Sequence, residues 1–230
     1  MRILSIVHGP LVAPGVFADV VREHGHELVR WAPPTDGPPP EDVDAVITFG
    51  GAMHVDQEPE HPWLHTEDAL LRRLLADGTP VLGVCLGAQL VAKAADAAVG
   101  PARQAEIGWV PVELTGAASS DPVFRTLPAR FHAFQWHSYA FAVPDDGVEL
   151  ARNDACAQAF RAGERAWGVQ FHAEVTFEQV RAWLESNESV PFDRRALLEE
   201  TRRRIAAWNG FGRALCGAFC DVGARVAAPA

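Results

Sequence analysis

The sequence contains no Cys-x-x-Cys pair. Its four cysteines, Cys85, Cys156, Cys216 and Cys220, are scattered, which disfavours zinc-ribbon and thioredoxin-like sites. Cys216 and Cys220 fall on one helical pattern and read as small buried hydrophobes. No apolar run approaches the roughly 20 residues that a bilayer span needs, so no membrane association is expected. There is no basic excess either: the formal net charge is −10, and a basic groove for nucleic acid is not expected. No secretory leader precedes the first strand-like run, and the expected setting is reduced and cytoplasmic. Repeats and low-complexity tracts are missing, apart from the last residues, 227–230. What is present is ordinary globular material: 230 residues, 48% hydrophobic and 22% charged, enough for one large domain with a proper core.

Strands are predicted at residues 3–7, 26–31 and 44–49, with helices at 16–23 and from Pro62 to Gly78. A short apolar strand follows at 80–84, then a helix. This alternation predicts an α/β protein: three layers, αβα, around a mostly parallel sheet. The middle of the chain changes character. Strand-like runs at 108–114, 131–141, 148–152, 157–161 and 166–171 are separated by short turns and predict antiparallel hairpin additions. Helices are predicted at 177–184, 192–208 and 210–222, with a break at 186–189. The expected organisation is one domain over residues 1–186 and a helical extension, 187–230, packed on it.

The chemistry centres on Gly83-Val84-Cys85-Leu86-Gly87-Ala88-Gln89. Glycines placed symmetrically about a cysteine, between a strand and a helix, form the thiol version of a nucleophile elbow. The glycines permit close backbone approach, and the helix N-terminus favours a thiolate. A cysteine nucleophile needs a base, and the base an orienter. Residues i and i+2 of an extended segment share a side, so in Gln170-Phe171-His172-Ala173-Glu174 the carboxylate of Glu174 can fix the ring of His172. Alone, His-x-Glu is a weak signal; the elbow gives it context. Gly50-Gly51 follows a predicted strand and can offer N–H groups to a carbonyl oxygen, with Leu86 N–H as the second donor. Taken singly, two glycines after a strand more often make a plain turn.

Other polar clusters have plainer readings. His54, Asp56, His61 and His65, with Glu58, Glu60, Glu67 and Asp68, invite a metal site through the spacing of His61 and His65. Pro62 at the first helical position would leave His61 outside the helix, and the acids suit a first helical turn; no metal is expected. His132 and His137 read as structural histidines, His137 with a possible supporting role. Arg194, Arg195, Arg202, Arg203 and Arg204 read as a solvated helix face paired with Glu199 and Glu200.

The elbow with His172-Ala173-Glu174 resembles the class I (triad) glutamine amidotransferases, most of all the stand-alone GMP-synthase-like group that includes plant γ-glutamyl peptidases. Supporting pieces are Phe49-Gly50-Gly51-Ala52-Met53, Pro62-Trp63-Leu64, Glu106-Ile107-Gly108-Trp109, Phe134-Gln135-Trp136-His137-Ser138 and Ala157-Gln158-Ala159-Phe160. The resemblance covers roughly residues 40–185. It implies a flavodoxin-like amidotransferase fold and a triad of Cys85, His172 and Glu174. It also implies oxyanion donors at Gly51 and Leu86, and substrate contacts at Gly50, Gln89, Ser138 and Tyr139. Ala52 and Ala173 stand where the family usually has proline. The implied reaction is acyl transfer from a γ-glutamyl amide, needing no cofactor. No synthase module is recognisable in the chain. The resemblance therefore leaves a free-standing hydrolase, a glutaminase subunit feeding a separate synthase, and a non-catalytic binding relative. Leaving group and oligomeric state are not legible.

Overall fold

The computed structural model describes residues 1–187 and 192–227. Among these, nine strands form one mixed sheet, flanked by five α-helices and a short 3-10 turn. The elements are β1 (Arg2–Ile6), α1 (Val16–Glu23), β2 (Glu27–Trp31), β3 (Ala45–Thr48), α2 (Trp63–Ala76), β4 (Val81–Val84), α3 (Leu86–Ala94), β5 (Val99–Leu114), β6 (Arg130–Phe141), β7 (Val148–Arg152), β8 (Ala157–Ala162), β9 (Ala166–Val169), α4 (Phe177–Ser186) and α5 (Arg194–Ala227). The sheet order is β2-β1-β3-β4-β9-β8-β7-β5-β6. Strands β2, β1, β3, β4 and β9 are parallel, and β8, β7, β5 and β6 add antiparallel pairs. The α/β class, the parallel core and the hairpin additions are as the sequence predicted.

Alternation along the parallel strands explains the layers. Ile3, Ala45, Ile47, Leu82 and Val84 face one apolar cluster, shared with Phe17, Val20, Leu215 and Phe219 of α1 and α5. Leu4, Ile6, Val46 and Val81 face another, shared with Leu70, Leu71, Leu74, Leu90 and Val91 of α2 and α3. Strands buried on both faces are near-continuously apolar, which is why β3 and β4 stood out in the sequence.

Three boundaries differ from expectation. β5 begins at Val99 rather than near Gly108. Its first half is polar and contains Pro101 and a register shift between Pro101 and Glu106; pairing with β6, not its own pattern, makes it a strand. The two late helices expected at 192–208 and 210–222 are one continuous helix, α5. Glycine weakens a helix without ending it, and here Gly212 lets α5 close on the main body: a Cβ there would lie 2.0 Å from the carbonyl oxygen of Ala173. β9 ends at Val169, so the His172 segment leaves the sheet. Part of the expected break, residues 188–189, and the tail residues 228–230 lie outside the described residues.

Candidate active site

Because β1, β3, β4 and β9 are parallel, their C-terminal ends share one rim, the usual place for a ligand in an open α/β sheet. His8 follows β1, Gly50-Gly51 follow β3, Cys85 follows β4, and Gln170 to Glu174 follow β9. Each strand thus delivers one part of a site that is dispersed in sequence.

Cys85 occupies the turn into α3 with φ 54° and ψ −109°. A non-glycine residue there carries strain of about 1–3 kcal/mol, and surrounding bonds hold it. Its N–H donates to the Val169 carbonyl at 2.8 Å, and its carbonyl accepts from Gln89 N at 3.0 Å. The flanking glycines are required. A Cβ on Gly83 would sit 2.5 Å from Gly87 O, and one on Gly87 2.1 Å from Thr48 O. Cys85 is buried, 6% exposed. Its sulfur lies 3.8 Å from the Trp136 carbonyl oxygen and 3.8 Å from Gln170 Nε2.

The structure brings His172 and Glu174 to this sulfur. His172 Nδ1 bonds Glu174 Oε1 at 2.8 Å, with both side chains buried. The other oxygen of Glu174, Oε2, is buried without a hydrogen-bond partner among the described residues, so the carboxylate is committed to His172 through Oε1. Burial alone would lower the His172 pKa. The Glu174 carboxylate, then the Cys85 sulfur, overcome this and raise it to about 10. The ring is therefore an imidazolium at neutral pH, held edge-on by Trp183 with centroids 4.8 Å apart. Gly50 lies between the partners: a Cβ there would be 2.9 Å from His172 Cε1 and 3.7 Å from Cys85 Cβ.

Gly51 and Leu86 also meet, since a Cβ on Gly51 would lie 2.6 Å from Leu86 Cδ2. Neither residue's N–H has an acceptor among the described residues. Gln89 is buried, and its Nε2 donates to Tyr139 O at 2.9 Å and to Gln170 Oε1 at 3.2 Å. It thereby ties the elbow helix to the 138–139 segment. Ser138 is exposed. Tyr139 stacks on His54 at 3.8 Å and donates its hydroxyl to Asp56.

The acidic cluster resolves into separate contacts. Glu58 pairs with Lys93, and Asp56 accepts from Tyr139. Glu67 is fully buried against His8. The first turn of α2 holds no acidic residue, so the first-turn reading of Glu67 and Asp68 was misplaced. His137, expected to be structural or supporting, donates through its ring to Tyr139 O at 2.9 Å and contacts Glu106 at 3.1 Å. Glu106, His137 and Cys156 are the one group among the described residues whose ligand atoms could converge on a metal.

Sequence reasoning missed several supports. His8 sits just past a predicted strand, where the strand-end rule could have flagged it; Gln170 fell inside the predicted strand 166–171 and reaches the rim only because β9 ends at Val169. Trp208 of α5 donates to the His172 carbonyl at 2.8 Å, and Asn209 donates to Val175 O at 2.7 Å. No local signal in α5 announces either bond.

Comparison with known proteins agrees with this architecture. The family model for class I glutamine amidotransferases matches residues 17–189; the chain belongs to that family. A glutamine amidotransferase from Thermotoga maritima has the same fold, with a TM-score of 0.85 and 30% identity, over 95% of this chain and 97% of that one. The glutamine amidotransferase-like protein YfeJ of Salmonella typhimurium is 26% identical over 82% of each chain. The glutamine-hydrolysing GMP synthase of Thermomicrobium roseum is 36% identical over 56% of this chain, but the match spans only 23% of that enzyme's length.

Proposed function

We propose that the protein hydrolyses γ-glutamyl amides, glutamine or a γ-glutamyl compound, through a thioester on Cys85. The observation that carries this reading is the convergence of a strained, helix-capping cysteine with a buried His172–Glu174 pair. His172 stands beside the sulfur as the proton carrier that a cysteine nucleophile needs. In the first half-reaction the sulfur attacks the γ-carbonyl carbon, and the oxyanion is received by the N–H groups of Gly51 and Leu86. His172 gives its proton to the departing nitrogen as the C–N bond breaks. In the second, His172 takes a proton from water, water oxygen attacks the thioester, and the C–S bond breaks to release glutamate. Glu174 holds the ring throughout. Gly50, Gln89, Ser138 and Tyr139 are the residues we assign to the glutamyl group. Neither step calls for a cofactor. The acidic net charge, −10, and the absence of any helix long and apolar enough to cross a membrane among the described residues fit a small-molecule substrate and a cytoplasmic setting.

The test is hydrolysis by purified protein of glutamine and a panel of γ-glutamyl peptides and anilides. Turnover should be lost in Cys85→Ala; a variant with wild-type turnover contradicts the reading. A second reading has the chain as the glutaminase subunit of a separate synthase. It draws on the likeness to one portion of a GMP synthase, and it expects glutamine turnover only after a synthase partner is added. A non-catalytic binding relative would instead leave Cys85 inert toward a glutamine-analogue electrophile.

A further inference from the structure

We propose that His8 and Glu67 form a buried positioning pair that sets the Gly50–Gly51 peptide as an oxyanion donor. The inference rests on the hydrolytic reading above and adds residues that the triad does not use. His8 Nδ1 lies 2.9 Å from the Gly50 carbonyl oxygen, and Nε2 lies 2.8 Å from Glu67 Oε2. Both side chains are fully buried. The second carboxylate oxygen, Glu67 Oε1, accepts from the Thr48 hydroxyl at 2.7 Å, and the Trp63 ring stacks on the imidazole at 5.3 Å.

Both partners of the ring are acceptors, a carbonyl and a carboxylate. A ring with N–H on each nitrogen, the imidazolium form, satisfies both. Burial would oppose this charge, but Glu67, followed by the carbonyls of Gly50 and Phe49, raises the His8 pKa overall. A buried ion pair is poor evidence of stability, since apolar residues of similar volume often do as well. Its location supplies a more specific purpose. The described peptide bonds are all trans, and in a trans unit C=O and N–H point in opposite directions. Holding the Gly50 oxygen on the His8 side therefore turns the Gly51 N–H to the other side, where it has no acceptor among the described residues. A cation on the carbonyl also polarises the peptide and strengthens that N–H as a donor. Glu67 fixes the imidazole, and Thr48, at the end of the strand that leads into the glycine pair, fixes Glu67.

Two isosteric substitutions separate positioning from simple bracing. In His8→Asn the amide nitrogen falls near the place of Nδ1, keeping the bond to Gly50 and losing Glu67. In His8→Gln it falls near Nε2, keeping Glu67 and losing Gly50. On the best γ-glutamyl substrate, His8→Gln should lower kcat about 10- to 100-fold with KM within about twofold, because the lost interaction belongs to the transition state. His8→Asn, which keeps the Gly50 bond but loses the charge and the Glu67 contact, should lower kcat less, about 3- to 10-fold. Glu67→Gln, the milder variant should His8→Gln fail to fold, should lower kcat about 3- to 10-fold, again without a KM change. A γ-glutamyl aldehyde, which adds to Cys85 as a tetrahedral oxyanion, should bind more weakly to His8→Gln by the factor lost in kcat. Alkylation of Cys85 by iodoacetamide, which develops no oxyanion, should be unchanged in every folded variant. Equal losses in His8→Asn and His8→Gln, or a loss expressed in KM, overturn the positioning role while leaving the hydrolytic reading intact. A wild-type protein that neither turns over γ-glutamyl compounds nor binds the aldehyde overturns both.

Discussion

Cys156 and Cys85 illustrate how environment separates two thiols. Burial, then the adjacent Glu106 carboxylate, push the Cys156 thiol up to about 12, so it stays protonated and unreactive. Cys216 and Cys220 are wholly buried. Native protein at pH 7.5 should therefore take one equivalent of iodoacetamide, at Cys85, with Cys156→Ser unchanged and Cys85→Ala unlabelled; peptide mass mapping reads the site. His172 carries a second prediction. Its pKa is raised from 6.5 to about 10 in the folded protein. The stabilisation is fully present below the unfolded value near 6.5 and is lost as pH rises through the folded one. The melting temperature of wild type should fall between pH 6.5 and pH 10 by more than that of His172→Gln. Parallel curves for the two proteins would show that the Glu174 pair contributes little to folding.

Between strand and helix, the elbow tolerates almost nothing. Gly83→Ala and Gly87→Ala each place a methyl against backbone atoms, at 2.5 and 2.1 Å. Neither contact can be relieved by turning a side chain, so both variants should lose turnover and several kcal/mol of stability, about 3 or more by analogy with strained, overpacked sites. Trp208→Phe removes the indole N–H from the His172 carbonyl and leaves a buried acceptor unpaired. It should cost about 1–3 kcal/mol in urea unfolding and slow turnover through a looser His172 segment. The contrast between these positions shows what the sequence could convey. Cys85, Gly83, Gly87, His172 and Glu174 are close in chain or spaced by a strand period, and local pattern rules find them. Trp208 and Gly212 reach the site only because α5 returns across the sheet. The continuity of α5 through Gly210 was equally illegible, since glycine there signals an end by propensity alone, and tertiary packing overrides it. The polar first half of β5 was missed for the same reason: partner pairing decides it.

Across the whole molecule, α5 does more than extend the chain. Trp208, Phe211, Leu215, Phe219 and Val222 are buried in the cluster that also contains Phe17, Val84 and Phe171. We propose that the helix belongs to one cooperative unit with the sheet. Removing residues 192–230 should abolish the cooperative unfolding transition, whereas an independent 1–187 domain would keep it. Four parallel strand ends underlie the picture we propose: β1 leads to His8, β3 to Gly50-Gly51, β4 to Cys85 and β9 to the His172–Glu174 segment, proposed here as support, oxyanion peptide, nucleophile and base. The most direct test of that picture is acid quenching of the wild-type protein during turnover of a γ-glutamyl substrate, followed by mass spectrometry of the Cys85 peptide. The account predicts a γ-glutamyl adduct on Cys85, absent from Cys85→Ala and accumulating in His172→Gln if deacylation becomes the slower step. Steady turnover with no adduct on Cys85, or wild-type turnover by Cys85→Ala, would contradict it.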